Sequence, residues 1–296
     1  MKLLVIFNPH AQSGRAAKKL PAIRDALTDR AIAFEFLMTR GPGDATRLVA
    51  ESSLDGFDAV VAAGGDGTVF EVLNGLYMHQ RAQRIPLGLI PMGTGNAFAR
   101  EFGLLPSHWI KAIDRLASEN LRRVDVGHVS CPDESFYFLN IIGLGFAVDA
   151  SLAARKLKFL GNAAYTLGTL WQTLKLNSYP LVIELDGQRI QQDNVFVEIS
   201  NSRYTGTTFL MAPQARIDDG FLDVTMLRKL SRFRLFRLFP TIFSGRHVHF
   251  EEVETRQVQH IRIKSPAGML LAPDGEFRGH TPVEIRCLHR DLEFMA

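Results

Sequence analysis

The chain opens on five consecutive apolar residues, 3–7, bounded by Lys2 and Asn8. A run this short predicts a strand buried on both faces. A polar, glycine-containing loop follows over 8–14, and residues 15–30 then place Ala16, Leu20, Ile23 and Leu27 at helical spacing. The alternation continues with a strand over 32–38, a short helix over 45–51, a strand over 58–63, a helix over 69–77 and a strand over 86–90. Short apolar strands separated by helices predict a mostly parallel sheet covered on both faces. Crossovers in such sheets are right-handed, and ligands sit at the carboxyl ends of the strands.

Past residue 122 the pattern changes. Strand-like runs over 123–129, 136–142, 181–185, 194–199, 222–227, 259–264 and 283–287 are separated by turns carrying Gly, Pro, Asn and Asp. One long helical pattern, 151–176, and one basic segment interrupt them. The expected architecture is an α/β N-terminal domain over 1–122 and a β-rich, sandwich-like C-terminal domain over 123–296. It leaves room for the last residues to pack back on the first domain.

The chain has 296 residues, 46% hydrophobic and 22% charged, the balance of a soluble globular protein. No window reaches the roughly 18 uncharged apolar residues of a spanning helix. The first apolar run is too short for a secretory signal core, so the expected location is cytoplasmic. Cys131 and Cys287 cannot form a disulfide framework, and the nine histidines show no metal-ligand spacing. A net charge of +3 is too small to imply nucleic acid.

Three glycine-bearing loops follow strands of the first domain: 8–14, Gly64-Gly65-Asp66-Gly67-Thr68, and residues 91–96 with Gly93-Thr94-Gly95-Asn96. A parallel sheet puts all three on one edge. Glycines let backbone N–H groups converge on phosphate oxygens, and a following helix N-terminus adds positive potential. Thr68 and Thr94 add hydroxyl donors. A carboxylate at Asp66, amid donors that favour anions, makes most sense beside Mg²⁺ or a proton in transit. One such loop alone is commonly only a turn; three at strand ends are not. There is no G-x-x-x-x-G-K-[ST] motif and no third glycine of a dinucleotide fingerprint. His289-Arg290-Asp291 copies the start of a protein-kinase catalytic loop without its companion motifs, and is read as chance.

Asn8-Pro9 with Ser13-Gly14, Gly64–Thr68 with Glu71-Val72 and Asn74-Gly75, and Gly93-Thr94-Gly95-Asn96 with Ala97 and Arg100 resemble the diacylglycerol kinase catalytic domain, a family of bacterial lipid kinases and sphingosine kinases. Asp125-Val126-Gly127, Gly143-Leu144-Gly145-Phe146 with Asp149, Asp218-Asp219-Gly220, Leu222-Asp223 and Asp274-Gly275-Glu276 extend the resemblance over nearly the whole chain. It implies ATP bound in the cleft between the domains, contacted by Asn8, Pro9, His10, Ala11, Gln12, Thr39, Gly64, Gly65, Asp66, Gly67, Thr68, Val69, Phe70 and Thr94. Phe70 departs from the family, where many relatives carry Asn. Asp66 would serve the phosphates and Mg²⁺, and Glu276 would be the general base. Asp219, with the carbonyls of Arg216 and Phe221, would hold a second Mg²⁺. Asp125 would join the Mg²⁺ network of Asp66, and Asp149 would face the lipid head group.

Each of these has a plainer reading. Thr39 is also an ordinary strand-end residue, Glu276 a hairpin acid, and Asp218-Asp219-Gly220 an Asx-turn without metal. Asp149 suits a cap for a helix starting near Ser151. The basic segment 227–243 interleaves Arg232, Arg234 and Arg237 with Leu and Phe, as a membrane-surface helix does. A helix packed on the sandwich with a solvated basic face fits the same pattern.

The expected protein is an ATP-dependent lipid kinase with Glu276 and Asp66 as catalytic residues. It would work peripherally at the inner membrane face on a lipid presented there, without nucleic acid, in a form compatible with a homodimer. The alternatives are an NAD kinase-like phosphotransferase and a non-enzymatic lipid- or nucleotide-binding regulator. The motifs do not fix which lipid is phosphorylated.

Overall fold

A computed structural model of the chain describes residues 1–80, 84–156, 176–206, 208–266 and 268–295. Strands β1 (Lys2–Phe7), β2 (Ala33–Met38), β3 (Ala59–Gly64) and β4 (Leu87–Pro91) form a parallel sheet in the order β2-β1-β3-β4. Because side chains alternate along a strand, β1 feeds two cores. Leu3, Val5 and Phe7 face Ile23 and Leu27 of α1 (Leu20–Thr28) and Ile113 and Leu116 of α5 (Trp109–Ala117). Leu4 and Ile6 face α2 (Asp44–Glu51), α3 (Asp66–Met78) and Phe98 of α4 (Ala97–Glu101).

Two elements differ here from the sequence expectation. The helix expected over 15–30 is divided into a 3₁₀ turn, Arg15–Lys19, and α1. Pro21 has no N–H to donate and fits only the first turn of a helix, so α1 starts beside it. The helix expected over 69–77 begins at Asp66, inside the glycine-rich loop.

The second domain is antiparallel. It contains β5 (Leu121–Ser130), β6 (Ser135–Phe138), β7 (Ile141–Gly145), α6 (Phe146–Lys156), β8 (Tyr179–Leu185) and β9 (Gln188–Ser200). A small hairpin, β10 (Tyr204–Thr205) and β11 (Phe209–Leu210), is followed by β12 (Leu222–Arg228) and α7 (Arg232–Leu238). β13 (Val253–Val258), β14 (His260–Lys264), β15 (Ala272–Pro273) and β16 (Val283–Met295) complete it. Phe136, Phe138, Ile183, Val197, Val224 and Ile285 fill the sandwich core.

The run expected over 136–142 is two strands. The buried Asp274 carboxylate accepts the N–H groups of Leu139, Asn140 and Ile141 and turns the chain between them. The last strand is far longer than 283–287. At Leu288/Leu292 its register on β5 shifts, with Arg290 in the left-handed region at φ 50°. Polar His289, Arg290 and Asp291 sit at this irregularity and hide the continuation. Beyond it Phe294 pairs in parallel with Leu87 of β4, so β16 joins the two halves into one sheet. The helical pattern of 151–176 starts earlier, at Phe146; residues 157–175 lie outside the described residues.

Candidate active site

The three glycine loops meet at the carboxyl edge of the parallel sheet. A methyl built on Gly93 would lie 2.3 Å from the α-carbon of Gly65, so the two loops pack backbone against backbone and tolerate no side chain there. Gln12 Nε2 donates to the Gly93 carbonyl at 2.9 Å, and Asn8 Nδ2 donates to Thr68 Oγ1 at 3.1 Å, tying the first loop to the other two. Asn96, in the left-handed region, closes the third loop by accepting the Gly93 N–H and donating to the Gly93 carbonyl.

Asp66 is the first residue of α3, and its carboxylate points at the start of α4. The N–H groups of Ala97, Phe98 and Asn96 face it and draw its carboxyl down. Burial nevertheless pushes this carboxyl up to about 6, opposed by those donors. Asp66 therefore sits against the third loop, its Oδ2 beside Gly95, and is not itself among the residues that line the cleft.

Glu276 reaches the same place from the second domain. Asp274, at φ 47°, and Gly275, at φ 85°, form the turn that lifts it, and the Glu276 N–H donates to the Pro273 carbonyl at 2.8 Å. Asp274 locks this turn onto the β6–β7 junction through the three N–H groups it accepts. Burial pushes the Asp274 carboxyl up to about 7 against those donors. The Glu276 carboxylate ends over Gly67, where a methyl would meet Oε1 at 2.8 Å.

Asn8, His10, Ala11, Thr39, Gly65, Gly67, Thr68 and Glu276 line one open cleft of about 1030 Å³ including its mouth. Thr39 is buried and continues the β1–β2 edge through its N–H to the Phe7 carbonyl. Gly93 of the third glycine loop also lines the cleft, as do Arg40 and Glu71, to which the sequence pattern gave no site role. Glu71 could have been noticed as the acid one turn after the Gly-Asp-Gly-Thr motif. Its two oxygens accept the Gly43 and Ala45 N–H groups at the head of α2. Burial raises its carboxyl first, and the Glu276 charge adds to this. Among the described residues no three acidic, His or Cys side chains cluster to hold a metal by themselves; the cleft offers the Glu71 and Glu276 carboxylates, and Mg²⁺ is commonly bound by one or two carboxylates together with substrate phosphates.

Other sequence-selected residues lie elsewhere. The Val69 and Phe70 side chains are buried in the two hydrophobic cores, and Phe70 packs edge-on against Phe136. The phase of α3, set by its start at Asp66, turns them away from the cleft. Thr94 is exposed at the tip of its loop. Asp125 is fully buried and takes the N–H groups of Gly220 and Arg290 and a contact from His289 Nδ1. It thus fixes the Asp219 loop to β16, which gives His289-Arg290 a structural task. Asp219 accepts the Phe221 N–H at 3.1 Å, the Asx-turn geometry. Asp149 lies in the first turn of α6, accepts from Tyr179 Oη, and lines a separate hollow with Leu152 and Met269.

Beside Glu276 opens an apolar pocket. Phe146, Phe196, Met211, Leu235, Leu238 and Ile242 form its walls, and Ala272, Gly275 and Glu198 also line it. Leu235 and Leu238 are the buried face of α7. The opposite face differs from the sequence expectation. Arg234 is paired with Glu252 at 2.7 Å, while Arg232, Arg237, Phe233 and Phe236 are exposed, Phe233 at 69%. Among the described residues no helix is long and apolar enough to cross a membrane.

A glycine-lined cleft at strand ends, faced by a carboxylate from an antiparallel domain with an apolar pocket nearby, is an arrangement suited to a phosphotransferase. Residues 2–129 match the diacylglycerol kinase catalytic domain, and residues 140–296 match the YegS C-terminal NAD kinase β-sandwich-like domain. The chain is 32% identical to a diacylglycerol kinase of Mycobacterium tuberculosis, covering 99% of this chain and 94% of that one. It is 30% identical to a diacylglycerol kinase of Bacillus subtilis, covering 97% and 94%. A crystal structure of a Bacillus anthracis protein assigned as a diacylglycerol kinase superposes with a TM-score of 0.82 at 28% identity, covering 99% and 94%. The chain belongs to the diacylglycerol kinase family and is a lipid kinase.

Proposed function

We propose that the protein transfers the γ-phosphoryl group of ATP to the free hydroxyl of diacylglycerol or a closely related lipid. The observation that carries this reading is the place of Glu276. Its carboxylate lines the glycine-loop cleft over Gly67 while its neighbour Gly275 lines the apolar pocket, so a lipid hydroxyl and a bound triphosphate would meet near this turn. Phosphoryl transfer needs little covalent help from the protein; positioning and charge stabilisation dominate. Glu276 would accept the hydroxyl proton. Backbone N–H groups of the loops and Arg40 would steady the phosphates. Mg²⁺, held by Asp66 and Glu71, would offset the charge developing on them. A second Mg²⁺ at Asp219 with the Arg216 and Phe221 carbonyls belongs to the same proposal. Next to it Asp218 Oδ1 is buried without a hydrogen bond among the described residues, with Arg216 Nε 3.8 Å away.

The exposed Arg232, Phe233, Phe236 and Arg237 would rest on an anionic membrane surface, bringing the pocket to its lipid. The NAD kinase likeness of the second domain favours a second reading, a soluble dinucleotide as acceptor. Radiolabelled ATP supplied with a panel of lipids in mixed micelles, and with NAD, separates the two. Label is expected on diacylglycerol; label on NAD and on no lipid would overturn the proposal.

A further inference from the structure

The apolar pocket has one ionisable group in its wall that the phosphoryl-transfer chemistry does not use. Glu198 is only 6% exposed, and its Oε2 has no hydrogen-bond partner among the described residues. Its strand neighbours Val197 and Ile199 point into the sandwich core, so alternation along β9 turns Glu198 the other way, into the pocket. Burial pushes its carboxyl up to about 7 with nothing drawing it back. At neutral pH a large share therefore keeps its proton and is an O–H donor among hydrocarbon. A buried donor without an acceptor costs a protein stability, and such groups persist where they serve a ligand.

Register places this donor relative to Glu276. Glu198 pairs with Gly143, and Gly143 pairs with Ala272, so the three lie in one row across β9, β7 and β15. Two strand spacings put Glu198 about 10 Å from Ala272 along the sheet. Ala272 leads directly into the turn that carries Glu276. At the middle position a methyl on Gly143 would make ordinary contacts, 3.4 Å from Ala147 Cβ, 3.7 Å from Glu198 Cγ and 3.8 Å from Cδ, so the Glu198 side chain lies alongside Gly143. Gly143, Glu198, Ala272 and Gly275 line the pocket together, and a glycerol head group would sit against them.

We infer that Glu198 is a specificity-determining residue whose carboxyl donates a hydrogen bond to an ester carbonyl of an acylglycerol while the lipid's free hydroxyl lies at Glu276. This rests on the lipid-kinase reading above and names the part of the head group that the pocket selects. A site built to hydrogen-bond one substrate group rejects the analogue that lacks it far more strongly than a merely apolar site does.

The test compares 1,2-dioctanoylglycerol with its 1,2-dioctyl ether, which keeps the hydroxyl and chain length but lacks the carbonyls. The parent protein should prefer the ester by about tenfold in kcat/KM. Glu198→Gln keeps an N–H donor and should retain most of that preference. Glu198→Leu fills the site with hydrocarbon and should abolish the preference by losing rate on the ester. An ester-to-ether ratio unchanged in Glu198→Leu, with the protein folded by circular dichroism, overturns the inference. So does an equal loss on both lipids in Glu198→Gln. Calorimetric binding of the same two lipids without nucleotide reads the pocket independently of turnover. Phosphorylation of neither lipid would refute an acylglycerol kinase, and the binding preference would still decide Glu198. Equal binding of ester and ether by the parent, or binding of neither, refutes it.

Discussion

The Glu276 carboxylate lies over the α-carbon of Gly67, so close that a single methyl there would stand 2.8 Å from Oε1. One residue belongs to the phosphate loop of the first domain and the other to a turn of the second. Gly67→Ala tests this relationship cleanly. The backbone is not left-handed at Gly67, and the obstructing atom is the end of a flexible side chain, so folding should be unharmed. Alanine in the first turn of α3 should even add up to about 1 kcal/mol. Turnover should nonetheless fall on the order of tenfold or more as the carboxylate is pushed aside. Urea unfolding and a kinase assay on one preparation check both halves; unchanged turnover would mean the contact has no catalytic consequence.

Glu276→Gln should lower kcat by about 10²–10⁴-fold, the usual contribution of a general base. Nucleotide affinity measured by calorimetry without lipid should stay within a few-fold. A collapse of nucleotide binding with turnover per bound nucleotide intact would make Glu276 a nucleotide-binding residue instead.

Asp66→Asn should nearly abolish turnover. It also places an amide against the Asn96, Ala97 and Phe98 N–H groups, so some loss of thermal stability should accompany it. In the parent, burial holds the Asp66 carboxyl at about 6. The ionised form, to which the proposal gives the Mg²⁺ role, is therefore gained as pH rises through that value, and kcat/KM should climb over the same interval. Activity of Asp66→Asn within about threefold of the parent would exclude the carboxylate from the chemistry.

Glu198 makes the fold weaker as pH rises. Its folded carboxyl is raised from 4.5 to about 7, so between those values the unfolded chain releases its proton first and unfolding is favoured. The full shift corresponds to about 3 kcal/mol, an upper figure for a site that can relax. Glu198→Gln cannot ionise, so its stability relative to the parent should improve from pH 5 to pH 8 in denaturant titrations. A difference that does not vary with pH would show that this carboxyl is not strained by burial.

Replacing Arg232 and Arg237 by Gln, together with Phe233→Ala, should weaken sedimentation with anionic vesicles at low salt, each basic residue counting for about 1 kcal/mol. Arg234→Gln alone should change vesicle binding little and stability slightly, because that guanidinium is engaged by Glu252. Activity on a short-chain soluble lipid should be preserved in the triple variant. Equal vesicle binding by parent and triple variant would assign α7 to another surface.

Much of this protein was written locally. Strand-length apolar runs and helical spacings are set by neighbouring residues, so the order of elements in the first domain and the glycine loops at its strand ends could be read directly. Convergence of those loops follows from a parallel sheet, in which strand ends share an edge. What the sequence could not reveal depended on phase and partnership. The start of α3 at Asp66, rather than three residues later, decides that Phe70 faces Phe136 and not the cleft. The length of β16 was masked by His289, Arg290 and Asp291, whose polarity answers to Asp125 and to Tyr77 and Arg84, far away in the chain. Arg40 and Glu71 entered the site only because the ends of β2 and α3 come together there. Glu198 carried no signal in the strand pattern; its burial in a pocket wall shared with α6 and α7, and Gly143 opposite it, are facts of assembly. Local pattern encodes the elements because backbone geometry is short-ranged. The environment of a carboxyl is made by residues that only packing brings near.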